Sequence, residues 1–342
     1  MKLPKICMVS DHCCMRVFKE SKALRKRGYR VESVASVNSY GWNMYDSFHM
    51  YLGADMLKST ISGIKTDIFH VHNEPDWIVR AVREATNKPI VFDIHDLSSL
   101  RWGEVTQDEL DAFEAANAFI HVSEPIRAIA DETHASTKPS IVLHPYVNED
   151  YVIAPIGVGY QTIVYEGGIA TPYQAEHCAD IDKPVATIRN IAPAVEAFVK
   201  NNYGFHIFAA DTLPDFAYEN LGAVVIPSLP YTSMLSAIRS YSMGYVGSPH
   251  SIPLMEHAMP NKLFEYISQG CVPIVQNASE SGRFVEEHEV GFVLPDLDSI
   301  GMCDPPLGLQ VKALREDVLK KRHLFTMEAN LQPLCDLYDS LL

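Results

Sequence analysis

Residues 5–37 read KICMVSDHCCMRVFKESKALRKRGYRVESVASV, and this stretch decides the fold class. Residues 5–10 form a short apolar run of the kind required by a strand buried on both faces. Residues 17–27 carry Phe18, Ala23 and Leu24 on one helical stripe, Gly28 closes the helix, and residues 31–37 are again rich in β-branched side chains. Strand, helix and strand in this order make the βαβ unit from which parallel sheets are built.

The same alternation continues along the chain. Strand-like runs recur at 67–71, 90–94, 118–122 and 140–143, with a helical pattern at 75–85. After Val147, the stretch NEDYVIAPIGVGYQ mixes polar residues, Pro and Gly without helical periodicity. A second series then begins, with strands at 162–165, 205–209, 223–226, 245–247, 272–276 and 291–294 and helices at 192–201, 232–242 and 261–269. At roughly 150 residues per domain, 342 residues make about two domains. The expected architecture is α/β, with two doubly wound Rossmann-like domains facing a cleft: residues 1–150, residues 160–325, and a C-terminal helix at 326–342 that is a candidate for packing back on the first domain. In such sheets ligands sit at the carboxyl ends of the strands, so function is expected in the cleft.

Composition narrows the function classes. Hydrophobic residues make up 47% and charged residues 21%, as in a soluble globular protein. The apolar run at 6–9 is broken by Ser10 and Asp11, and no stretch of about 18 apolar residues occurs, so neither secretion nor a membrane span is expected and a cytoplasmic location is. A net charge of -15 argues against nucleic acid as a partner, because phosphates call for a basic surface. The charge is uneven, however: residues 1–30 hold nine Lys/Arg against Asp11 and Glu20. Residues 16–30 are therefore a candidate for peripheral contact with an anionic membrane surface, beside the plainer reading of a solvated helix face. Seven cysteines with no Cys-x-x-Cys spacing suit a reducing compartment.

The first strand-to-helix turn, SDHCCMRV, contains no glycine, which removes the dinucleotide fingerprint. Walker A, Gly-x-Ser-x-Gly and His-Glu-x-x-His motifs are absent as well. Polar residues gather instead at strand ends. In DIFHVHNEPD, His70 and His72 share one strand face, and in IVFDIHDL, His95 and Asp96 follow a strand directly. Two imidazoles on one face suit a metal, but no third ligand is evident nearby, so histidines hydrogen-bonded in a polar cleft are the preferred reading and no metal is expected. In AMPNKLFEYISQGCVPIVQ (258–276), Pro260 and Asn261 open a helix whose free N–H groups can receive a phosphate, with Lys262 adding charge. One turn on, Glu265 can accept hydrogen bonds from the two hydroxyls of a ribose; the alternative is an ordinary Lys/Glu surface pair.

At these residues the chain resembles a known family. PNKLFEYISQGCVPIV is similar to the donor-binding segment of GT-B glycosyltransferases, especially the retaining family 4 group. In the same order, SDHCCMRVFKESKALRKRGYRVESV resembles the opening of that family's acceptor domain, FDIHDL its Asp-x-His-Asp-Leu stretch, and FIHVSEPIRAIA its Val-Ser-Glu strand. TIVYEGGIA resembles its first C-terminal strand with a Gly-rich turn, and GRFVEEHEVGFVL its last strand region.

The resemblance implies transfer of a sugar from a nucleotide diphosphate sugar, UDP or GDP foremost, to a glycan, lipid-linked or other hydroxyl acceptor, with retention and without a metal or other cofactor. It gives Glu265 the ribose, Asn261 and Lys262 the diphosphate, and Gly167 and Gly168 the turn where backbone meets diphosphate. His95 would face the transferred sugar, and Arg16 would contact anionic donor or acceptor groups. Family members commonly carry two acidic residues separated by seven positions. Here that spacing back from Glu265 falls on His257, with Glu256 one residue earlier, and both are candidates for the sugar hydroxyls. The Arg and Lys that follow the Gly-rich turn in many members have no counterpart in ATPYQAEHCADIDK before Lys183, and the Gly-Gly turn after the first strand is also missing. Two other readings share this architecture: a nucleotide-sugar epimerase and a noncatalytic nucleotide-sugar-binding subunit.

Overall fold

A computed structural model describes residues 3–39, 44–179, 183–210, 216–303 and 306–342. The chain divides into two units, one of Met1–Asn148 with Met327–Leu342 and one of Glu149–Thr326.

The first unit is built on seven strands: β1 (Lys5–His12), β2 (Arg30–Val37), β3 (Ser47–Met50), β4 (Ile68–His72), β5 (Ile90–Ile94), β6 (Ala118–His121) and β7 (Ser140–Val142). Their spatial order is β3-β2-β1-β4-β5-β6-β7, and every neighbouring pair is parallel. All residues of β4, β5 and β6 are buried, and these strands read as mainly apolar runs interrupted by His70, His72, Asp93 and His121. The helix Trp77–Ala85 turns Ile78, Val79, Ala81 and Val82 inward. The helix Glu124–His134 starts at Ser123, whose hydroxyl accepts the N–H of Ile126 at 3.3 Å.

Sequence reading overlooks β3. It is an edge strand with three half-buried residues and one exposed residue, SFHM, so it carries no apolar run to announce it. Residues 327–342 fold with the first unit. The N–H of Met327 donates to the Val147 carbonyl at 3.0 Å, and the helix Gln332–Ser340 buries Leu334, Leu337 and Tyr338.

The second unit has six strands: β8 (Thr162–Gly167), β9 (Gly204–Ala209), β10 (Val224–Ile226), β11 (Met243–Gly247), β12 (Val272–Gln276) and β13 (Phe292–Val293). They are again wholly parallel, in the order β10-β9-β8-β11-β12-β13. In each sheet the strand order turns back at the first strand, between β1 and β4 in one and between β8 and β11 in the other. These reversals are the positions at which doubly wound sheets leave a crevice for a ligand. Gly167 and Gly168 lie at the end of β8 and therefore at that position in the second unit. Among the described residues, no helix is long and apolar enough to cross a membrane.

Candidate functional site

In the second unit the site is assembled from the end of β8, the residue that closes the helix Lys183–Arg189, and the start of the helix Asn261–Gln269. Gly167 has a φ of +125°, a conformation that L side chains rarely adopt, and a Cβ there would stand 3.3 Å from the Lys262 Nζ. A Cβ on Gly168 would stand 2.9 Å from the Arg189 Cζ. Two cationic side chains thus lie against two adjacent glycines. The turn is fixed by Tyr165, whose hydroxyl donates to the Gly168 carbonyl at 2.9 Å and whose ring lies 3.7 Å beneath the Lys262 ammonium.

Arg189 was not legible in the sequence, where it stands 21 positions beyond Gly168 and looks unrelated to the turn. The chain returns to the turn by a backbone bond, the N–H of Ala170 donating to the Arg189 carbonyl at 3.0 Å. Arg189 and Lys262 thus bring two cationic side chains to the Gly-rich turn through tertiary folding. Arg189 is exposed and Lys262 half-buried, so both charges remain accessible to a ligand.

The helix Asn261–Gln269 begins after Pro260, which supplies no side-chain cap. Lys262 stands in its first turn, at the positive end of the helix dipole. Asn261 is exposed at this terminus, whereas Glu265 is only 2% exposed. Tyr231 lies beside Glu265, and burial together with the Glu265 charge drives its phenol well above the usual range. The helix is secured to the sheet by Tyr266, whose hydroxyl oxygen accepts the N–H of Glu166 at 2.9 Å. Gly244 on β11 leaves the space for that ring, since a Cβ there would meet it at 2.3 Å.

Glu256 and His257 close the short helix Pro253–His257, and both are half-buried. The Glu256 carboxylate accepts a hydrogen bond from the Ser251 hydroxyl.

Arg16 and His95 belong to the first unit. Arg16 is neither on the surface nor open to anions: it is 2% exposed, with its Nε 2.9 Å from both carboxylate oxygens of Asp93 and its Nη1 donating to the Leu143 carbonyl at 2.9 Å. Burial opposes the Asp93 charge, but the adjacent guanidinium together with the hydrogen bond to His70 and the fields of His72 and His95 outweighs it and holds this carboxyl well below the usual range. Lys19 is also buried, its ammonium donating to the Pro145 carbonyl at 3.2 Å. Of the basic residues in 16–30, only Lys22, Arg25, Lys26, Arg27 and Arg30 keep partial or full exposure. His95 follows β5. Its Nε2 lies 3.0 Å from the His72 Nδ1, and its backbone N–H donates to Asn73 Oδ1 at 2.8 Å. Burial pushes the His95 imidazole down to about 3, so the ring is neutral at neutral pH.

No protein-family model matches the chain, and no curated protein matches it. Solved structures do match, over the full length. A glycosyltransferase from Rickettsia africae ESF-5 is 13% identical with a TM-score of 0.67, covering 100% of this chain and 99% of its own. Anabaena HepE in complex with UDP is 12% identical with a TM-score of 0.71, covering 98% of this chain and 100% of its own. An α-glucosyltransferase in complex with UDP and a 13-mer DNA is 12% identical with a TM-score of 0.65, at the same coverage. These likenesses establish the architecture as the two-domain GT-B fold.

Proposed function

We propose that this chain is a glycosyltransferase that moves a sugar from a nucleotide diphosphate sugar to an acceptor hydroxyl, with UDP as the preferred carrier. The observation that carries the reading is the approach of the Lys262 and Arg189 side chains to the Gly167–Gly168 turn, with Lys262 in the first turn of its helix and Glu265 one helical turn further on. The glycines admit a diphosphate to the backbone, and the two cations neutralise the charge that develops on it as the sugar departs. Glu265 accepts hydrogen bonds from the ribose hydroxyls, oriented by Tyr231. UDP in the HepE and α-glucosyltransferase structures supports the choice of carrier.

In the retaining and metal-independent form of this reaction, the bond from the anomeric carbon to the diphosphate oxygen breaks. The acceptor oxygen then bonds to the same face of that carbon, and its proton passes to the departing phosphate oxygen. His95, neutral and held by His72, is assigned to the transferred sugar, and Glu256 or His257 to its hydroxyls. The product is a glycan or glycoconjugate made in the cytoplasm. The exposed remainder of the basic segment 16–30 supports peripheral contact with an anionic membrane that carries a lipid-linked acceptor.

The deciding experiment is a thermal-shift panel of nucleoside diphosphates and their sugars, followed by product analysis with the donor that binds. Stabilisation by UDP or a UDP-sugar and transfer to an added acceptor support the reading. A free epimerised sugar, or binding without turnover, replaces it by the epimerase or the noncatalytic alternative.

A further inference from the structure

Inside the first unit, four side chains, none of them assigned to the substrate and only His72 touching a residue that is, converge in a space closed to solvent. Glu20, His70, His72 and Asp93 are each 0% exposed, and they offer ligand atoms that all lie within 4.8 Å of one another. His70 Nε2 is 3.3 Å from Asp93 Oδ2 and 3.6 Å from Glu20 Oε2, and His72 Nε2 is 4.0 Å from Glu20 Oε2. Ligands at 2.0–2.1 Å around a tetrahedral ion are separated by about 3.3–3.4 Å, so the four ligand atoms, within 4.8 Å of one another, would draw together by up to about an ångström to seat one.

Three further observations point to a cation. First, neither Glu20 oxygen nor His72 Nε2 has a hydrogen-bond partner among the described residues, although all are buried. Arg16 Nε comes to 3.1 Å of Glu20 Oε1 but directs its hydrogen to Asp93. Buried polar atoms without partners are rare, and an ion is one of the usual reasons for them. Second, two carboxylates face a single guanidinium in the cluster, a buried imbalance that a cation would correct. Third, His70 is held from behind. Its Nδ1 is 2.6 Å from the Tyr338 hydroxyl, which leaves its Nε2 facing the carboxylates, while His72 Nδ1 lies 3.0 Å from His95 Nε2 and 3.5 Å from Asp93 Oδ2 and its Nε2 turns to Glu20. Metal-bound histidines are oriented by outer partners in this way.

We propose that Glu20, His70, His72 and Asp93 form a structural site for a divalent transition cation of the Zn2+ type. Two imidazoles and two carboxylates are a ligand set that suits Zn2+ and its spectroscopic substitute Co2+. Closure of the site means that the ion is taken up as the first unit folds, with its binding energy contributing to that folding.

The test uses untagged full-length protein expressed with Co2+ or Zn2+ as the only added transition metal. The expected result is about one metal per chain by elemental analysis, with the visible bands of tetrahedral Co2+. The thermal midpoint of protein refolded with Zn2+ should exceed that of protein refolded with chelator. Tyr338→Phe removes only the hydroxyl behind His70 and should weaken Zn2+ binding about 10–100-fold. Glu20→Gln should abolish the Co2+ bands while circular dichroism reports a retained fold. Metal-free protein with no Co2+ bands overturns the proposal and leaves a proton as the cluster's counter-charge. Metal bound equally by wild type, Tyr338→Phe and Glu20→Gln overturns it too, by placing the ion elsewhere.

Discussion

The Arg189 guanidinium lies across Gly168, its Cζ 2.9 Å from the point where a Cβ would stand, while the adjacent Gly167 faces the Lys262 ammonium in the same way. The two glycines differ in what they demand. Gly167 has a positive φ, so Gly167→Ala strains the backbone and should cost about 1–3 kcal/mol of stability. Gly168→Ala displaces only the end of a flexible side chain, and its stability should stay within about 0.5 kcal/mol of wild type. Its affinity for UDP should nevertheless fall, because the displaced group is the proposed phosphate ligand. Denaturant unfolding beside UDP titration separates the two effects. Unchanged UDP affinity in Gly168→Ala would detach Arg189 from the donor site.

Removing the cations themselves should be more costly to binding. Arg189→Ala and Lys262→Ala each delete a charge-assisted hydrogen bond of about 1.5–3 kcal/mol, equivalent to a loss of roughly 10–150-fold in UDP affinity. Uridine, which has no phosphate, should bind both variants as it binds wild type. Calorimetric titration with UDP and uridine reads the contrast, and parallel losses for both ligands would mean that the variants disturb the fold rather than a phosphate contact.

The contrast between Arg189 and Lys262 also shows how far the sequence can be read. Lys262 and Glu265 sit three residues apart on one helix, so local spacing fixes their relation, and the helix 261–269 occurs where the pattern predicts it. The buried strands β4, β5 and β6 were equally legible, because burial on both faces writes itself as a mainly apolar run. Arg189 reaches the turn only through tertiary folding, which no local period encodes. The same limit applies to Arg16: its place at a helix start suggested an exposed cation, and only the approach of β5 reveals that it is buried against Asp93. Glu20 likewise meets His70 and His72 across 50 residues of sequence, which is why two imidazoles looked like a pair without further ligands.

Glu265 should discriminate the sugar of the nucleotide. With both ribose hydroxyls on its carboxylate, wild type should bind 2′-deoxy-UDP more weakly than UDP, by about 1.5–3 kcal/mol. In Glu265→Ala the two ligands should bind alike, since the partner of the missing hydroxyl is already gone. Tyr231→Phe should fall between, as it leaves the carboxylate but removes the hydroxyl beside it. A wild-type protein that ignores the 2′-hydroxyl would remove the ribose from Glu265.

Acid should destabilise the first unit through His121. This residue is buried in β6, and neither ring nitrogen has a hydrogen-bond partner among the described residues. Burial lowers its imidazole to about 4, aided by Arg127 and Arg16 and opposed by Asp93. The unfolded chain, with an ordinary imidazole near 6.5, then binds the proton more readily than the folded one. The contribution to stability is therefore full above about pH 6.5 and is lost progressively as pH falls towards 4. His121→Leu removes the titrating group together with its unpaired nitrogens, so the variant should gain stability relative to wild type at pH 5 and gain less at pH 8. Urea unfolding at the two pH values measures the difference, and an equal effect at both would show that His121 does not carry the acid sensitivity.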